Sequence, residues 1–152
     1  MTDYLITYRN ATVGDAHNLD KLNQENLPEN YDIKDWIFVL ENYNSYCYVA
    51  EHNGVIVGYC ICIPNTDHRK VATIASIAVN KRYRSNGVGK VLLIKSILAI
   101  KRKDKSYIIT LNCRHSNEAA LNLYKKLNFT IENTIEHYYQ HPTEHAYVLI
   151  KK

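Results

Sequence analysis

The chain has 152 residues, the length of one ordinary domain, with 46% hydrophobic and 22% charged residues, a balance that excludes a disordered chain. Lys and Arg number 19 against 15 Asp and Glu, and the net charge of +4 permits an anionic ligand without requiring nucleic acid. The sequence contains no run of about 18 apolar residues, which a membrane helix needs, and its first residues lack the layout of a signal peptide. We therefore expect a single domain over residues 1–152, located in the cytoplasm, with its four cysteines reduced.

Hydrophobic periodicity predicts the secondary structure in chain order. In the first half, strands are predicted over Tyr4–Arg9, Tyr46–His52, Val55–Ile63 and Val71–Val79. Two helices, over Thr12–Asn26 and Ile33–Tyr43, lie between the first and second of these strands. In the second half, helices are predicted over Val88–Arg102 and Asn117–Leu127. A strand over Tyr107–Cys113 lies between them, and strands over Phe129–Tyr139 and His145–Ile150 follow. This order indicates an α/β fold in which a mixed sheet of about seven strands carries helices on both faces.

Three local signals support the boundaries of these elements. Thr12 is a helix-capping residue, and Asp15 follows it at the spacing of a capping box. Pro28 ends the first helix because proline cannot continue the hydrogen-bond ladder. The pair Asn53-Gly54 strongly favours a tight hairpin between two strands.

The segment Arg84-Ser-Asn-Gly-Val-Gly89 lies between a predicted strand and a predicted helix. Its glycines allow a tight turn with uncovered N–H groups, and a helix N-terminus adds unpaired donors and a positive dipole end. Such a turn suits a pyrophosphate. Four cations lie in or beside it, namely Lys81, Arg82, Arg84 and Lys90. Taken alone, the pattern also fits a plain strand-to-helix turn, and it is neither a Rossmann fingerprint nor a P-loop.

Two motifs, in these positions, resemble those of the GNAT acetyltransferases. Arg84-x-x-Gly87-x-Gly89 after an apolar strand is similar to the acetyl-CoA-binding motif of that family. The segment Ser116–Tyr124, followed by Leu127-Asn128-Phe129, is similar to its S-N-x-x-A-x-x-L-Y…x-G-F segment. The resemblance covers nearly the whole chain and implies one GNAT domain that transfers acetyl from acetyl-CoA.

Two further segments narrow the resemblance. Leu27-Pro-Glu-Asn-Tyr31 resembles the catalytic subunit of the eukaryotic and archaeal N-terminal acetyltransferase A, and Tyr138-Tyr139 resembles the substrate-facing hairpin of protein N-terminal acetyltransferases. The implied reaction is direct acetyl transfer to the free α-amine of a protein's first residue. An auxiliary subunit that docks on the first helices is the partner that the resemblance implies. Neither a membrane nor direct nucleic-acid readout is expected.

The resemblance assigns the acetyl-CoA-binding residues by position. Backbone groups of Ile77, Ala78 and Val79 are expected to hold the acetyl and pantetheine part. The N–H groups expected to bind the pyrophosphate are those of Arg84, Ser85, Asn86, Gly87, Val88, Gly89 and Lys90. Asn117 is expected to bind the pantetheine arm, and Tyr124 to donate a proton to the departing thiolate. Helix packing is the alternative interpretation of Tyr124.

The resemblance also assigns the acceptor end. Glu29 is the candidate for organising proton removal from the amine, and a solvated loop carboxylate is its alternative interpretation. Leu27 and Tyr31 are expected to line the pocket for the first side chain. Tyr138 and Tyr139 are expected to cover the peptide, and a pair of strand aromatics that stabilises a hairpin is their alternative interpretation.

No dedicated general base is evident on the central strands. Thr73 and Asn112 stand where relatives often carry His or Tyr, and neither side chain is a base at neutral pH. An α-amine with a pKa of about 7.7–8.0 is roughly one-fifth neutral at about pH 7.2, whereas a lysine is under about 0.1% neutral. The same arithmetic favours α-amines over lysines. An acceptor that is a small-molecule amine or a lysine, and a non-catalytic acyl-CoA-binding module, remain alternatives.

No metal site is predicted. His137, His141 and His145 recur every four residues, but Pro142 argues against the helix that would align them. The basic run Lys101–Lys105 lies at a predicted helix C-terminus, where cations meet the negative dipole end, and this is the favoured explanation. Association with the ribosome is a second, weaker interpretation of the same run.

Overall fold

The computed structural model describes residues 4–67 and 69–152, which form seven strands and four α-helices. The strands are β1 Thr7–Asn10, β2 Tyr48–His52, β3 Val55–Pro64, β4 Val71–Val79, β5 Ile108–Arg114, β6 Thr130–Tyr139 and β7 Glu144–Lys151. The helices are α1 Ala16–Asn26, α2 Ile33–Tyr43, α3 Val88–Lys103 and α4 Glu118–Lys126. The first three residues, on which the signal-peptide expectation depends, lie outside the described ranges.

All seven strands join one mixed sheet in the order β1-β2-β3-β4-β5-β7-β6. The pairing is antiparallel except between β4 and β5, which are parallel and connected through α3. Two apolar clusters sandwich the sheet, one containing residues of α1 and α2 and the other containing residues of α3 and α4. The predicted mixed α/β sheet with helices on both faces is therefore confirmed.

The first strand is shorter than predicted, because the residues before Thr7 leave the sheet. The ring of Tyr4 instead packs 4.6 Å from the ring of Tyr83 and 5.2 Å from that of His52. The predicted first helix begins with a 3₁₀ turn, in which the N–H of Thr12 donates to the Asp15 carboxylate over 2.8 Å.

The sheet opens at its centre, between β4 and β5. These strands pair only from Val71–Ile108 to Thr73–Thr110, and beyond that point they separate. On its other edge β4 carries a bulge, since Ser76 pairs with Ile61 and Ile74 with Cys62, which leaves Ala75 without a partner. The result is a gap flanked by backbone groups of two strands that no longer pair with each other.

None of the helices in the described part of the chain is both long and apolar enough to span a bilayer. All four cysteines are unpaired and buried, and burial raises the pKa of the Cys47 and Cys60 thiols to about 12. Buried thiols of this kind are packing residues that stay protonated at neutral pH.

Candidate active site

A cavity of about 520 Å³ occupies the gap between β4 and β5. Eight predicted site residues line it together, namely Leu27, Glu29, Tyr31, Ile77, Asn117, Tyr124, Tyr138 and Tyr139. Ala78, Val79 and the segment 84–90 are not part of its lining. Because Val79 ends β4 and the segment 84–90 follows the next turn, the predicted pyrophosphate loop lies along the chain just past the cavity.

The loop before α3 presents a series of free backbone donors. Gly87 has a φ of 78° and Ser85 a φ of 65°, so the chain turns sharply here. Within the described residues, the N–H groups from Ser85 to Lys90 meet no hydrogen-bond acceptor. The Asn86 side chain braces the turn by donating to the carbonyls of Tyr83 and Arg84, over 3.2 and 2.9 Å. Free donors at the start of a helix fit the pyrophosphate of acetyl-CoA.

Arg84 differs from the prediction. Its N–H donates to the Lys81 carbonyl over 3.4 Å, so the free donors begin at Ser85. Its guanidinium donates to the Val79 carbonyl over 2.9 Å and to Asn26 Oδ1 over 3.0 Å. The side chain therefore ties the end of β4 to the end of α1, and it uses the Val79 carbonyl that was expected to face the cofactor.

Tyr124 is the buried hydroxyl on the α4 side of the cavity. Its side chain is 6% exposed, and its ring packs edge-to-face against Phe129 with centroids 5.9 Å apart. The hydroxyl makes no hydrogen bond with any residue that the structure describes. Burial raises the pKa of Tyr124 well above the ordinary value of about 10, so the phenol keeps its proton at neutral pH. Packing and a donor role are thus both compatible with the position.

Asn117 and Cys113 line the same cavity as Tyr124. Asn117 caps α4, because its Oδ1 accepts the N–H of Ala120 over 3.2 Å. Its amide NH₂ has no acceptor in the described ranges and is the part left for a ligand. Cys113 was not predicted; burial raises the pKa of its thiol to about 11, so it is neutral.

Glu29 is held at both its backbone and its side chain. Its carbonyl accepts the Asn23 Nδ2–H over 3.1 Å, and the same nitrogen donates to the Tyr59 hydroxyl over 3.0 Å. That hydroxyl lies 2.8 Å from Ser76 Oγ, which lines the cavity. The Glu29 carboxylate forms an ion pair with the guanidinium of Arg114. The loop after α1 is therefore attached to β4 and β5 alike.

Arg114 and Ser76 are cavity residues that the sequence patterns missed. Arg114 ends β5 directly before the Ser116-Asn117 motif, and a charged residue closing a buried strand is the signal that was available. Ser76 lies inside an apolar strand and offered no such signal. Its hydroxyl matters only because Tyr59 of the neighbouring strand reaches it.

Tyr31 forms a wall of the cavity. Its hydroxyl donates to the Ala75 carbonyl over 3.0 Å, and its ring meets that of Trp36 edge-to-face with centroids 5.8 Å apart. A second, smaller cavity of about 50 Å³ also borders Tyr31 and is otherwise lined mainly by apolar residues, among them Val39 and Ile61. Burial raises the pKa of Tyr31, which keeps this hydroxyl a donor.

Tyr138 and Tyr139 close the cavity from the end of β6. Their rings meet edge-to-face with centroids 5.0 Å apart, and Tyr138 is 48% exposed. The Arg114 guanidinium lies 4.4 Å from the centroid of the Tyr139 ring. Burial raises the pKa of Tyr139, against the opposing effect of Arg114. One tyrosine is thus exposed and the other anchored.

The chemistry available in the cavity is limited to a few groups. Thr73 and Asn112 line it, as neutral side chains. Among the described residues, Glu29 is its only carboxylate and Arg114 its only cation. The described ranges contain no cluster of three or more His, Cys, Asp or Glu side chains placed to hold a metal ion. The backbone N–H of His137 instead donates to His145 Nδ1 over 3.0 Å.

Comparisons with known proteins agree with this geometry. A sequence model described as Acetyltransferase (GNAT) family matches residues 11–129. An N-alpha-acetyltransferase of Sulfurisphaera tokodaii is 35% identical, covering 93% of this chain and 89% of the relative. The N-terminal acetyltransferase A complex catalytic subunit NAA10 of Arabidopsis thaliana is 32% identical, covering 97% and 78%. The structure of Arabidopsis thaliana Naa50 in complex with the bisubstrate analogue CoA-Ac-MVNAL has a TM-score of 0.85 at 26% identity, covering 97% and 98%.

Proposed function

Because the chain belongs to the acetyltransferase (GNAT) family and is an acetyl-CoA-dependent N-acetyltransferase, we propose that its acceptor is the α-amine at the N-terminus of a peptide or protein. The membership predicted from the two sequence motifs is confirmed. The acceptor, the residue roles and the mechanism are our proposal. It is supported by relatives named as N-alpha-acetyltransferases and by the arrangement of the cavity.

One observation carries the proposal. The loop Leu27–Tyr31 and the pair Tyr138-Tyr139 are far apart in sequence, yet they line one cavity whose only carboxylate, among the described residues, is Glu29. Aromatic walls around a single carboxylate suit a short peptide with a cationic terminus. A pocket for a polyamine would require more negative charge than one carboxylate paired with Arg114 supplies.

The residues that would hold acetyl-CoA are the free donors from Ser85 to Lys90, the unpaired edge of β4 near Ile77, and the Asn117 amide. Acetyl-CoA supplies an activated acetyl group as a thioester, so that an N–C bond forms as the C–S bond breaks and a thiolate leaves. Tyr124 donates a hydrogen bond to that thiolate from within the cavity. Because burial raises the pKa of Tyr124, the phenol must recover any proton that it transfers.

Glu29 orients the amine and helps to remove its proton. One carboxylate oxygen, Oε1, accepts from Arg114, and Oε2 remains to accept from the amine or from an intervening water. About one-fifth of an α-amine is already neutral near pH 7.2, so the residues need only guide a proton that leaves readily. This explains how Thr73 and Asn112 can occupy the central strands of an active enzyme.

The proposal also includes the protein's partners and its location in the cell. The first two helices are proposed to dock an auxiliary subunit, as the relative named as a catalytic subunit of a complex suggests, with the ribosome as a second partner. The cytoplasm is the proposed location, since both acetyl-CoA and newly made protein N-termini are found there. Co-purification of a tagged chain from its own cells tests the partners directly.

The deciding experiment measures thiol release from acetyl-CoA with a panel of acceptors. The panel contains peptides that begin with Met, Ser, Ala, Asp or Glu, an N-terminally blocked peptide with a lysine, and spermidine. We expect turnover on the free N-termini alone. Turnover only on the blocked peptide or spermidine would refute the acceptor and leave the family intact. Binding of acetyl-CoA without turnover on any acceptor would favour a binding module or a missing auxiliary subunit, and co-purification of the tagged chain distinguishes the two.

A matched pair of variants links the activity to the cavity. Glu29→Gln keeps the shape of the side chain and removes its charge, and we expect turnover on peptides to fall by at least about 10-fold. Glu25→Gln changes an exposed carboxylate on α1 that is not among the cavity residues, and it should leave turnover unchanged.

A further inference from the structure

We propose that Arg114 is a positioning residue, which holds Glu29 and Tyr139 at fixed positions on opposite sides of the part of the cavity that receives the acceptor amine. It does so by joining the loop after α1 to the hairpin between β6 and β7. The inference rests on the proposed function, because it assumes that Glu29 and Tyr139 face the acceptor. Nothing in the sequence motifs assigned a role to this arginine.

The guanidinium contacts both walls of the cavity. Its Nη2 donates to the Glu29 carboxylate on the loop and to the Gln140 carbonyl, over 3.2 Å, on the hairpin. Its Nη1 donates to the Pro142 carbonyl over 2.8 Å and to Glu144 Oε1 over 3.3 Å. One side chain therefore bridges two segments that are distant in sequence.

The position of Glu29 depends on this bridge. The Glu29 side chain is 40% exposed, and within the described residues its carboxylate has no hydrogen-bond partner except Arg114. The Arg114 side chain is 13% exposed and is anchored at the end of β5. The more buried partner thus restrains the more exposed one. Without it, the carboxylate would sample many rotamers, since a glutamate side chain has several free torsions.

The same guanidinium supports the aromatic wall. It lies 4.4 Å from the centroid of the Tyr139 ring, within the range of a cation–π contact. Glu144, the second carboxylate that contacts Arg114, accepts a hydrogen bond at Oε2 from the hydroxyl of Ser116. Ser116, which lies just before α4, therefore also helps to fix the position of Arg114.

The chemistry of this position requires an arginine. A planar guanidinium has five N–H donors in a fixed fork and a face that stacks on an aromatic ring, whereas an ammonium has three donors and no face. Here the fork serves two carboxylates and two backbone carbonyls at once, more acceptors than an ammonium has donors.

The test compares Arg114→Gln and Arg114→Lys with Arg9→Gln. Arg9 is a matched control because it also pairs with two carboxylates, Asp15 and Glu51, and it is not among the cavity residues. For both Arg114 variants we expect kcat/KM for the peptide to fall on the order of 100-fold, the effect of a small displacement at a reacting centre. The Kd for acetyl-CoA should stay within about twofold of the wild type, and Arg9→Gln should change stability alone.

A double-mutant cycle separates positioning from general damage. In the Glu29→Gln background, Arg114→Gln should cost much less than it does alone, because the carboxylate that it positions is gone. Additive losses, full rescue by Arg114→Lys, or an equal loss of acetyl-CoA affinity would each overturn the proposal. Should Arg114→Gln not fold, Arg114→Lys carries the same comparison. If the wild type acetylates only spermidine or lysine, the proposed function fails, and the cycle is then measured on that acceptor.

Discussion

The hydroxyl of Tyr31 donates a hydrogen bond of 3.0 Å to the carbonyl of Ala75, the residue of β4 that the bulge leaves without a strand partner. The bulge exposes a backbone acceptor that a regular ladder would have consumed. That acceptor fixes a ring from the loop after α1 against the central sheet. The wall of the cavity is thus built from a local irregularity in one strand.

Removal of this hydroxyl should weaken acceptor binding and folding to a similar extent. Tyr31→Phe keeps the ring but leaves the Ala75 carbonyl without its donor, so we expect KM for the peptide to rise several-fold. Stability should fall by about 0.5–1.5 kcal/mol, the net worth of one hydrogen bond. Tyr43→Phe on α2 is the control, since that hydroxyl makes no hydrogen bond with the described residues. An unchanged KM for Tyr31→Phe would contradict the prediction.

Gly87 and Gly54 offer a test of the pyrophosphate loop. Their φ values are 78° and 76°, and a Cβ at either position would meet no atom within 4 Å. Alanine should therefore cost each site about 1–2 kcal/mol through backbone strain alone. We expect only Gly87→Ala to weaken acetyl-CoA binding, by about 10-fold or more, because only Gly87 shapes the donors before α3. Calorimetric titration with CoA measures this, and an equal loss in Gly54→Ala would contradict it.

Tyr124→Phe should separate binding from chemistry. The ring that packs on Phe129 remains, so the fold and the Kd for acetyl-CoA should persist. We expect kcat to fall by about 10²–10⁴, the usual range for a lost acid catalyst. Tyr107→Phe alters another buried tyrosine, one that is not a cavity residue, and should leave kcat unchanged. If Tyr124→Phe kept the wild-type kcat, the role of Tyr124 would be limited to helix packing.

The pH profile should follow the acceptor amine. We expect kcat/KM to rise with pH through a pKa of about 8, that of the peptide's α-amine. No alkaline decline should come from Tyr124, because burial raises its pKa and so extends the protonated, donating form to higher pH. The Cys113 thiol, with a pKa of about 11, should likewise cause no decline in kcat/KM below about pH 10. Peptides whose amine pKa values differ should shift the profile accordingly, and a profile fixed for every peptide would oppose the prediction.

Asp15 should make stability depend on acid pH. Its hydrogen bonds with Arg9, together with that from the Thr12 N–H, lower the pKa of the Asp15 carboxyl below its ordinary value. A lowered folded-state pKa adds stability above about pH 4, and this stability is lost as pH falls through the lowered value.

Asp15→Asn should therefore lose about 1.5–3 kcal/mol of stability at neutral pH, the range for a hydrogen bond to a charged group. The difference from the wild type should shrink as the pH is lowered from about 4. Urea unfolding at several pH values measures it. Glu41→Gln, an exposed carboxylate without an ion pair among the described residues, serves as the control. A difference that stays constant in acid would show that the Asp15 effect is not electrostatic.

Much of the fold could be predicted because its signals are local. The apolar run Val71–Val79, the Asn53-Gly54 turn and the helical stripe after Gly87 each report their own conformation through side-chain period and backbone freedom. The first strand was predicted too early because the Tyr4 ring prefers Tyr83, a partner that no local pattern reveals.

The sequence by itself determined the order of the elements and the family, because short motifs and hydrophobic periods encode them directly. It also named eight of the eighteen residues that line the cavity. Only the tertiary structure decided where the charged side chains point. It commits Arg84 to Asn26 and Val79, and it places Arg114 between Glu29 and the β6–β7 hairpin. A long cationic side chain takes whichever acceptors the packed chain brings within reach, and those acceptors come from segments far away in sequence.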